Sequence, residues 1–148
     1  MSALLEVSHL KVEFPGRRGT LLALDDISFS IAPGELLGVV GESGAGKSPT
    51  GAAIIGLLDP PGRIASGEIR FDGRRIDNLP YEEMRKVRGR QIGAIFQDPL
   101  TSLNPLYTVG RQLIETIRTH LPLNEDQARA RAIKLLQETG IPAAEQRI

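Results

Sequence analysis

The sequence has no cysteine, which excludes a disulfide framework, a thiolate metal site and a cysteine nucleophile. A reducing compartment is compatible with that. No sign of charge is in excess, since Lys and Arg number 18 and Asp and Glu number 18. No net field therefore points to nucleic acid or to an anionic membrane, and no nucleic-acid partner is expected. Apolar runs are also short. None approaches the roughly 18 residues that read as a membrane span, and the opening MSALLEVSHLKVEF lacks the basic stretch and apolar run of a signal peptide. What is present is ordinary for a soluble globular chain: 41% apolar residues, 24% charged residues and a length of 148, about one domain's worth.

The pattern along the chain predicts a sequence of elements. LLEVSHLKVEF reads as a half-buried strand, PGRRG as a loop and LLALDDISFSI as a second strand. In that second strand Ile27, Phe29 and Ile31 share one face, with Ser28 and Ser30 opposite. APGE is a turn. LLGVV runs apolar without alternation, as a strand covered on both faces does. TGAAIIGLL reads as a buried helix, and GEIRFDGRRI as a strand with a turn at Asp72-Gly73. PYEEMRKVRG has Pro80 in a first-turn position, acids early, bases late and Gly89 at its end, the layout of a short exposed helix. IGAIF reads as another buried strand, QDPLTSLNPLYT as a loop and VGRQLIETIRTH as a helix. Asn124 caps the last helix, with Gln127 three residues on and Gly140 as its stop. No repeat or linker divides the chain.

One stretch carries chemistry. Gly41-Glu42-Ser43-Gly44-Ala45-Gly46-Lys47-Ser48 matches the P-loop pattern, and it lies between an apolar strand-like run and a helical one, the context that motif requires. The glycines let successive N–H groups turn inward toward an anion, and the following helix start adds partial positive charge. On this pattern Lys47 reaches the β- and γ-phosphates and the Ser48 hydroxyl ligates Mg²⁺, with Pro49 and Thr50 completing the loop's exit. The pattern names a nucleoside triphosphate and no particular enzyme class.

Two longer segments narrow it. ALDDISFSIAPGELLGVVGESGAGKS resembles the opening of an ABC-transporter ATP-binding subunit, and IGAIFQDPLTSLNPLYTVGRQL resembles the Q-loop region of the subclass serving oligopeptide, dipeptide and nickel importers. The resemblance runs from Leu4 to Ile148 and implies an α/β fold, a P-loop NTPase core with an N-terminal antiparallel β subdomain and the start of a helical subdomain. It places the β subdomain and P-loop at about 1–96, and the Q-loop with the start of the helical subdomain at about 97–148. It implies ATP and Mg²⁺ as cofactors, Phe14 as the aromatic that stacks on adenine, and Gln97 as the residue that completes Mg²⁺ coordination and positions the attacking water. Lys47 and Gln97 are then the catalytic residues present. Read from the residues alone, Phe14 at a strand end is more readily a core aromatic. The resemblance further implies membrane-spanning permease subunits as partners, met through Asp98 to about His120, and a second ATP-binding subunit. Its place would be the cytoplasmic face of the cell membrane. A kinase or GTPase is the weaker reading, because nothing resembles a guanine-reading motif.

Other candidates read as structure. Asp25 and Asp26 are adjacent, so on a strand start they face opposite ways and cannot share acid–base work. His9 and His120 have no supporting ligand pattern. The basic run MRKVRGR, balanced by Glu82 and Glu83, reads as a solvated helix face.

Two departures from the family stand out. The family's Leu-Ser-Gly-Gly-type signature, the strand ending in Asp-Glu and the switch histidine lie beyond AAEQRI in the order of motifs. The chain therefore reads as the N-terminal part of such a domain, with exposed apolar edges, either energising an importer in a longer product or surviving as a non-hydrolysing remnant. The second departure is Pro49, where the family has a residue with a backbone N–H. Its loss is expected to weaken nucleotide binding, and proline is expected to push Ser48 away from helical geometry, with Thr50 compensating only in part.

Overall fold

A computed structural model of the protein describes residues 3–98 and 102–148. Its contacts divide the chain into two compact units, residues 1–88 and 89–148.

The first unit is built on an antiparallel sheet of order β2-β1-β3-β4, from β1 (Leu5–Gly16), β2 (Gly19–Ile31), β3 (Arg63–Phe71) and β4 (Arg74–Arg75). The β1–β2 hairpin closes where Gly16 pairs with Gly19, around the Arg17-Arg18 tip. The β3–β4 hairpin turns at Asp72 and Gly73, both at positive φ, the geometry that favours Asp-Gly between paired strands. Ile27, Phe29 and Ile31 are partly covered while Ser28 and Ser30 are exposed, as the alternation requires. Val7, Leu10, Val12, Leu24 and Ile69 form the buried side of the sheet, and Ala53, Ile55, Ile76, Met84 and Val87 are also buried in this unit.

The ladder is interrupted at His9. Register shifts fall between Val7 and Leu10 on one side of β1 and between Ser8 and Lys11 on the other. His9 and Asp26 both take positive φ there. Asp25 and Asp26 therefore do not sit at a strand start. They lie inside β2 at an irregularity, both exposed, and pair with Lys11 at 2.7 Å and His9 at 2.8 Å. The bulge presses on β3: a Cβ on Gly67, whose φ is +91, would collide with the carbonyl oxygen of His9. Only glycine fits that position.

Two helices complete this unit, α1 (Lys47–Ile54) and α2 (Tyr81–Val87). The predicted helix TGAAIIGLL begins three residues earlier and stops at Ile54. Gly56 and Leu57 turn back to donate to Ala53 and Ala52 at 3.1 and 2.8 Å, a Schellman ending. Pro80 occupies the N-cap of α2 and not its first turn.

Two predicted strands are not formed. Residues 36–40 and 92–96 have no strand ladder, and Leu36 and Val40 are 98% and 95% exposed. An apolar run becomes a strand only where a neighbouring backbone takes up its N–H and C=O groups. Among the described residues the β2-β1-β3-β4 sheet offers residues 36–40 no such neighbour. Ile95 and Phe96 are also exposed.

The second unit contains α3 (Val109–His120), α4 (Glu125–Glu138) and α5 (Ala144–Arg147). Thr108 caps α3 by accepting from Arg111 N. Asn124 and Gln127 form the expected capping box of α4, and Gly140 with Ile141 donates back to Gln137 and Leu136. Ile117, Ala128 and Ala132 form the core between α3 and α4, with Leu113, Ile114 and Leu135 packed around it. The small alanines let the two helices approach closely. Among the described residues no helix is long and apolar enough to cross a membrane.

Candidate functional site

The loop from Gly41 to Ser48 runs directly into α1. A tight turn starts it, Ala45 N donating to Glu42 O at 3.2 Å. Gly46 then takes φ 86 as the N-cap of α1. It is buried, and a Cβ there would stand 2.5 Å from Leu24 Cδ2 and 2.9 Å from Ala23 O. The second glycine of the motif thus does two things at once. It supplies the left-handed residue that starts the helix, and it lets the loop rest against β2 where a side chain would be expelled.

Lys47 folds back over the loop. Its Nζ donates to Gly41 O and Glu42 O, both at 2.6 Å, so the ammonium closes the loop into a ring. Thr50 anchors the other side, with its N–H and its Oγ1 both donating to Gly46 O, at 3.0 and 2.8 Å. Among the described residues no acceptor is found for the N–H groups of Gly44, Gly46, Lys47 and Ser48. A run of unpaired amides at a helix start, with a lysine beside them, is a cradle for an anion such as a phosphate chain. The donor set fits a nucleotide's phosphates, and the exposed Ser48 hydroxyl fits a hard cation such as Mg²⁺.

Pro49 occupies the third helical position, and Ser48 before it is helical. The expected displacement of Ser48 does not occur. The first helical turn tolerates proline because its missing N–H has no acceptor within the helix, and the Thr50 N–H bond to Gly46 holds the turn shut.

The remaining predicted residues lie elsewhere. Phe14 lies inside β1, paired with Leu21 and half-buried, and its ring lies so close to Gly62 that a Cβ there would be 2.5 Å from Phe14 Cε1. Gln97 belongs to the second unit and is exposed, in a segment without regular structure. Of the segment read as facing a permease, residues 99–101 lie outside the described residues. Glu42 and Ser43 are exposed on the loop's outer turn.

Sequence reasoning missed Arg88. Its Nε donates to Ile55 O at 2.6 Å and its Nη2 to Gly56 O at 2.7 Å, gripping the far end of the helix that carries Lys47. The run MRKVRGR is therefore only partly a solvated face: Arg85 and Lys86 pair with Glu82 and Glu83, while Met84 and Val87 are buried. The available signal was Gly56 as a helix stop, which leaves carbonyls that need donors.

The family model described as ABC transporter matches residues 24–148. The chain belongs to the ABC transporter family. Among curated ABC relatives, the dipeptide transport ATP-binding protein DppD of Escherichia coli (strain K12) is 46% identical over 140 residues, covering 95% of this chain and 43% of the relative. The oligopeptide transport ATP-binding protein OppD of Bacillus subtilis (strain 168) is 44% identical over 149 residues, covering 100% of this chain and 42% of the relative. The chain thus spans less than half the length of these relatives. The dimeric post-hydrolysis structure of the ATP-binding cassette MJ0796 bound to ADP and Pi matches with a TM-score of 0.80 at 23% identity, covering 92% of this chain and 57% of that one. This likeness, with the family match, shows the fold: part of an ABC ATPase domain, represented by its antiparallel β portion, the P-loop and helices.

Proposed function

We propose that this chain supplies the nucleotide-holding part of an ATP-binding subunit that energises an ABC importer for peptides or related solutes through ATP binding and hydrolysis. The observation that carries the reading is the loop itself, with the unpaired amides of Gly44, Gly46, Lys47 and Ser48 beside the Lys47 ammonium. The identity to DppD and OppD supports peptides as the solute class.

Gly41, Glu42, Ser43, Gly44, Ala45, Gly46, Lys47, Ser48, Pro49 and Thr50 surround the phosphates in this reading. Lys47 exchanges its two carbonyl acceptors for the β- and γ-phosphate oxygens. Ser48 and Gln97 hold Mg²⁺, which when bound neutralises charge on the terminal phosphates. Gln97 orients water through a neutral amide, without exchanging a proton, and Phe14 stacks on adenine. The partners are membrane-spanning permease subunits, reached through residues 98–120, and a second ATP-binding subunit, at the cytoplasmic face of the cell membrane.

The test is calorimetric titration with MgATP of the protein and of Lys47→Ala, paired with uptake of a labelled dipeptide by cells carrying either allele. Binding and uptake that both disappear in the variant are expected. Binding that survives Lys47→Ala unchanged would overturn the nucleotide assignment, and undiminished dipeptide uptake would overturn the transport role.

A further inference from the structure

We infer that Pro49 sets the affinity of the phosphate loop by removing one phosphate-directed backbone donor that no neighbouring group of α1 replaces. The inference rests on the reading of the loop as a nucleotide site. It follows from an inventory of the donors at the head of α1. The first amides of a helix have no acceptor inside it, and an anion at the helix start takes them up. At Lys47 and Ser48 those amides are unpaired among the described residues. At Pro49, the third helical position, there is no N–H to offer. At Thr50 the N–H is already given to Gly46 O at 3.0 Å.

The Thr50 hydroxyl is the obvious substitute, and it is also committed. It donates to the same Gly46 oxygen at 2.8 Å from a buried side chain. Turning it toward a ligand would break that bond and leave its place in the first turn. The compensation open to it on sequence grounds is closed by this geometry.

Shape does not account for the effect. Ser48 remains helical before the proline, and the turn closes normally through Thr50. The proline therefore lowers the number of donors and leaves the cradle's form intact. Loss of one charge-assisted hydrogen bond corresponds to about 10- to 150-fold in affinity, so a loosely held, rapidly exchanging nucleotide is the expected state.

The experiment is calorimetric titration of the protein, Pro49→Val, Pro49→Ala and Lys47→Ala with MgATP and, separately, with inorganic tripolyphosphate. Both proline replacements restore an N–H, with different side chains, so agreement between them assigns the effect to the backbone. The expected result is tightening of about tenfold or more for both ligands in both variants, with unchanged ligand-free melting temperatures and no binding by Lys47→Ala. Equal dissociation constants for the protein and the proline variants overturn the inference, as does tightening for MgATP without tightening for tripolyphosphate. The underlying nucleotide reading fails separately, if Lys47→Ala binds as well as the protein or if neither the protein nor the proline variants bind MgATP.

Discussion

His9 and Asp26 face each other across the β1–β2 ladder, each in left-handed backbone at φ 50 and φ 56, with Nδ1 and Oδ1 2.8 Å apart. His9 N also donates to Ser28 Oγ at 2.8 Å. Both side chains of the pair are largely exposed, so the contact itself adds little stability. The backbone is where the energy lies. Aspartate tolerates the left-handed region and a β-branched residue does not. Asp26→Val should therefore lower stability by about 1–2 kcal/mol, while Asp26→Gly should be close to neutral. Urea unfolding curves decide this, and equal midpoints for valine and glycine would show that the bulge relaxes at no cost.

Gly67 records the same bulge from the opposite strand. Alanine there meets both positive φ and the backbone oxygens of Ser8 and His9, which a backbone in a ladder cannot easily move aside. Gly67→Ala should cost about 3 kcal/mol or more, read as loss of cooperative unfolding or a large drop in denaturant midpoint. A shift of a few tenths would mean the two strands can part locally.

Asp77 makes the first unit sensitive to acid. Its side chain is 5% exposed and bonds Arg75 at 2.8 Å and Ile69 N–H at 2.8 Å. Burial alone pushes its carboxyl upward, but the Arg75 guanidinium and the Ile69 amide together outweigh that and hold it below the ordinary aspartate value. A folded pKa lower than the unfolded one gives stability that is complete above about pH 4 and is lost as pH falls through the folded value. Asp77→Asn should be less stable than the protein at pH 7, and the gap should close below about pH 4. A gap that stays constant down to pH 3 would show that the carboxylate charge is not what matters.

Arg88→Ala removes the donors to Ile55 O and Gly56 O, and should destabilise the first unit by about 1.5–3 kcal/mol. Arg88→Lys should recover only part of this, because an ammonium cannot span two carbonyls as the planar fork does. Thermal melts of the pair give the answer, with equal melting temperatures for lysine and alanine pointing to the charge being irrelevant.

Features set by neighbours in the chain could be read directly. The Asn124–Gln127 box, the Gly140 stop and the Asp72-Gly73 turn depend on contacts within a few residues, and residue type alone dictates their geometry, while the Gly-rich loop was legible as a motif but not in its rest against Leu24 and Ala23. Features that depend on distant partners were not legible. LLGVV and IGAIF carry the right pattern for buried strands, yet a strand exists only beside another strand, and the pattern does not say whether one is present. The bulge at His9 was hidden because it needs three strands to be seen at once. Arg88 was hidden because its acceptors, Ile55 and Gly56, lie more than thirty residues away in sequence.

The grip of Arg88 also gives the phosphate-loop helix an electrical asymmetry. The eight residues of α1 carry a dipole whose negative pole at Ile55 and Gly56 is quenched by a resident guanidinium. The first turn of α1, at the positive pole, carries no acidic residue. The end of α1 that favours an anion is therefore the mouth of the loop. An anion at the loop meets the uncompensated pole of α1, while Arg88 acts on the helix's own last turn and leaves the donors of the loop unaltered.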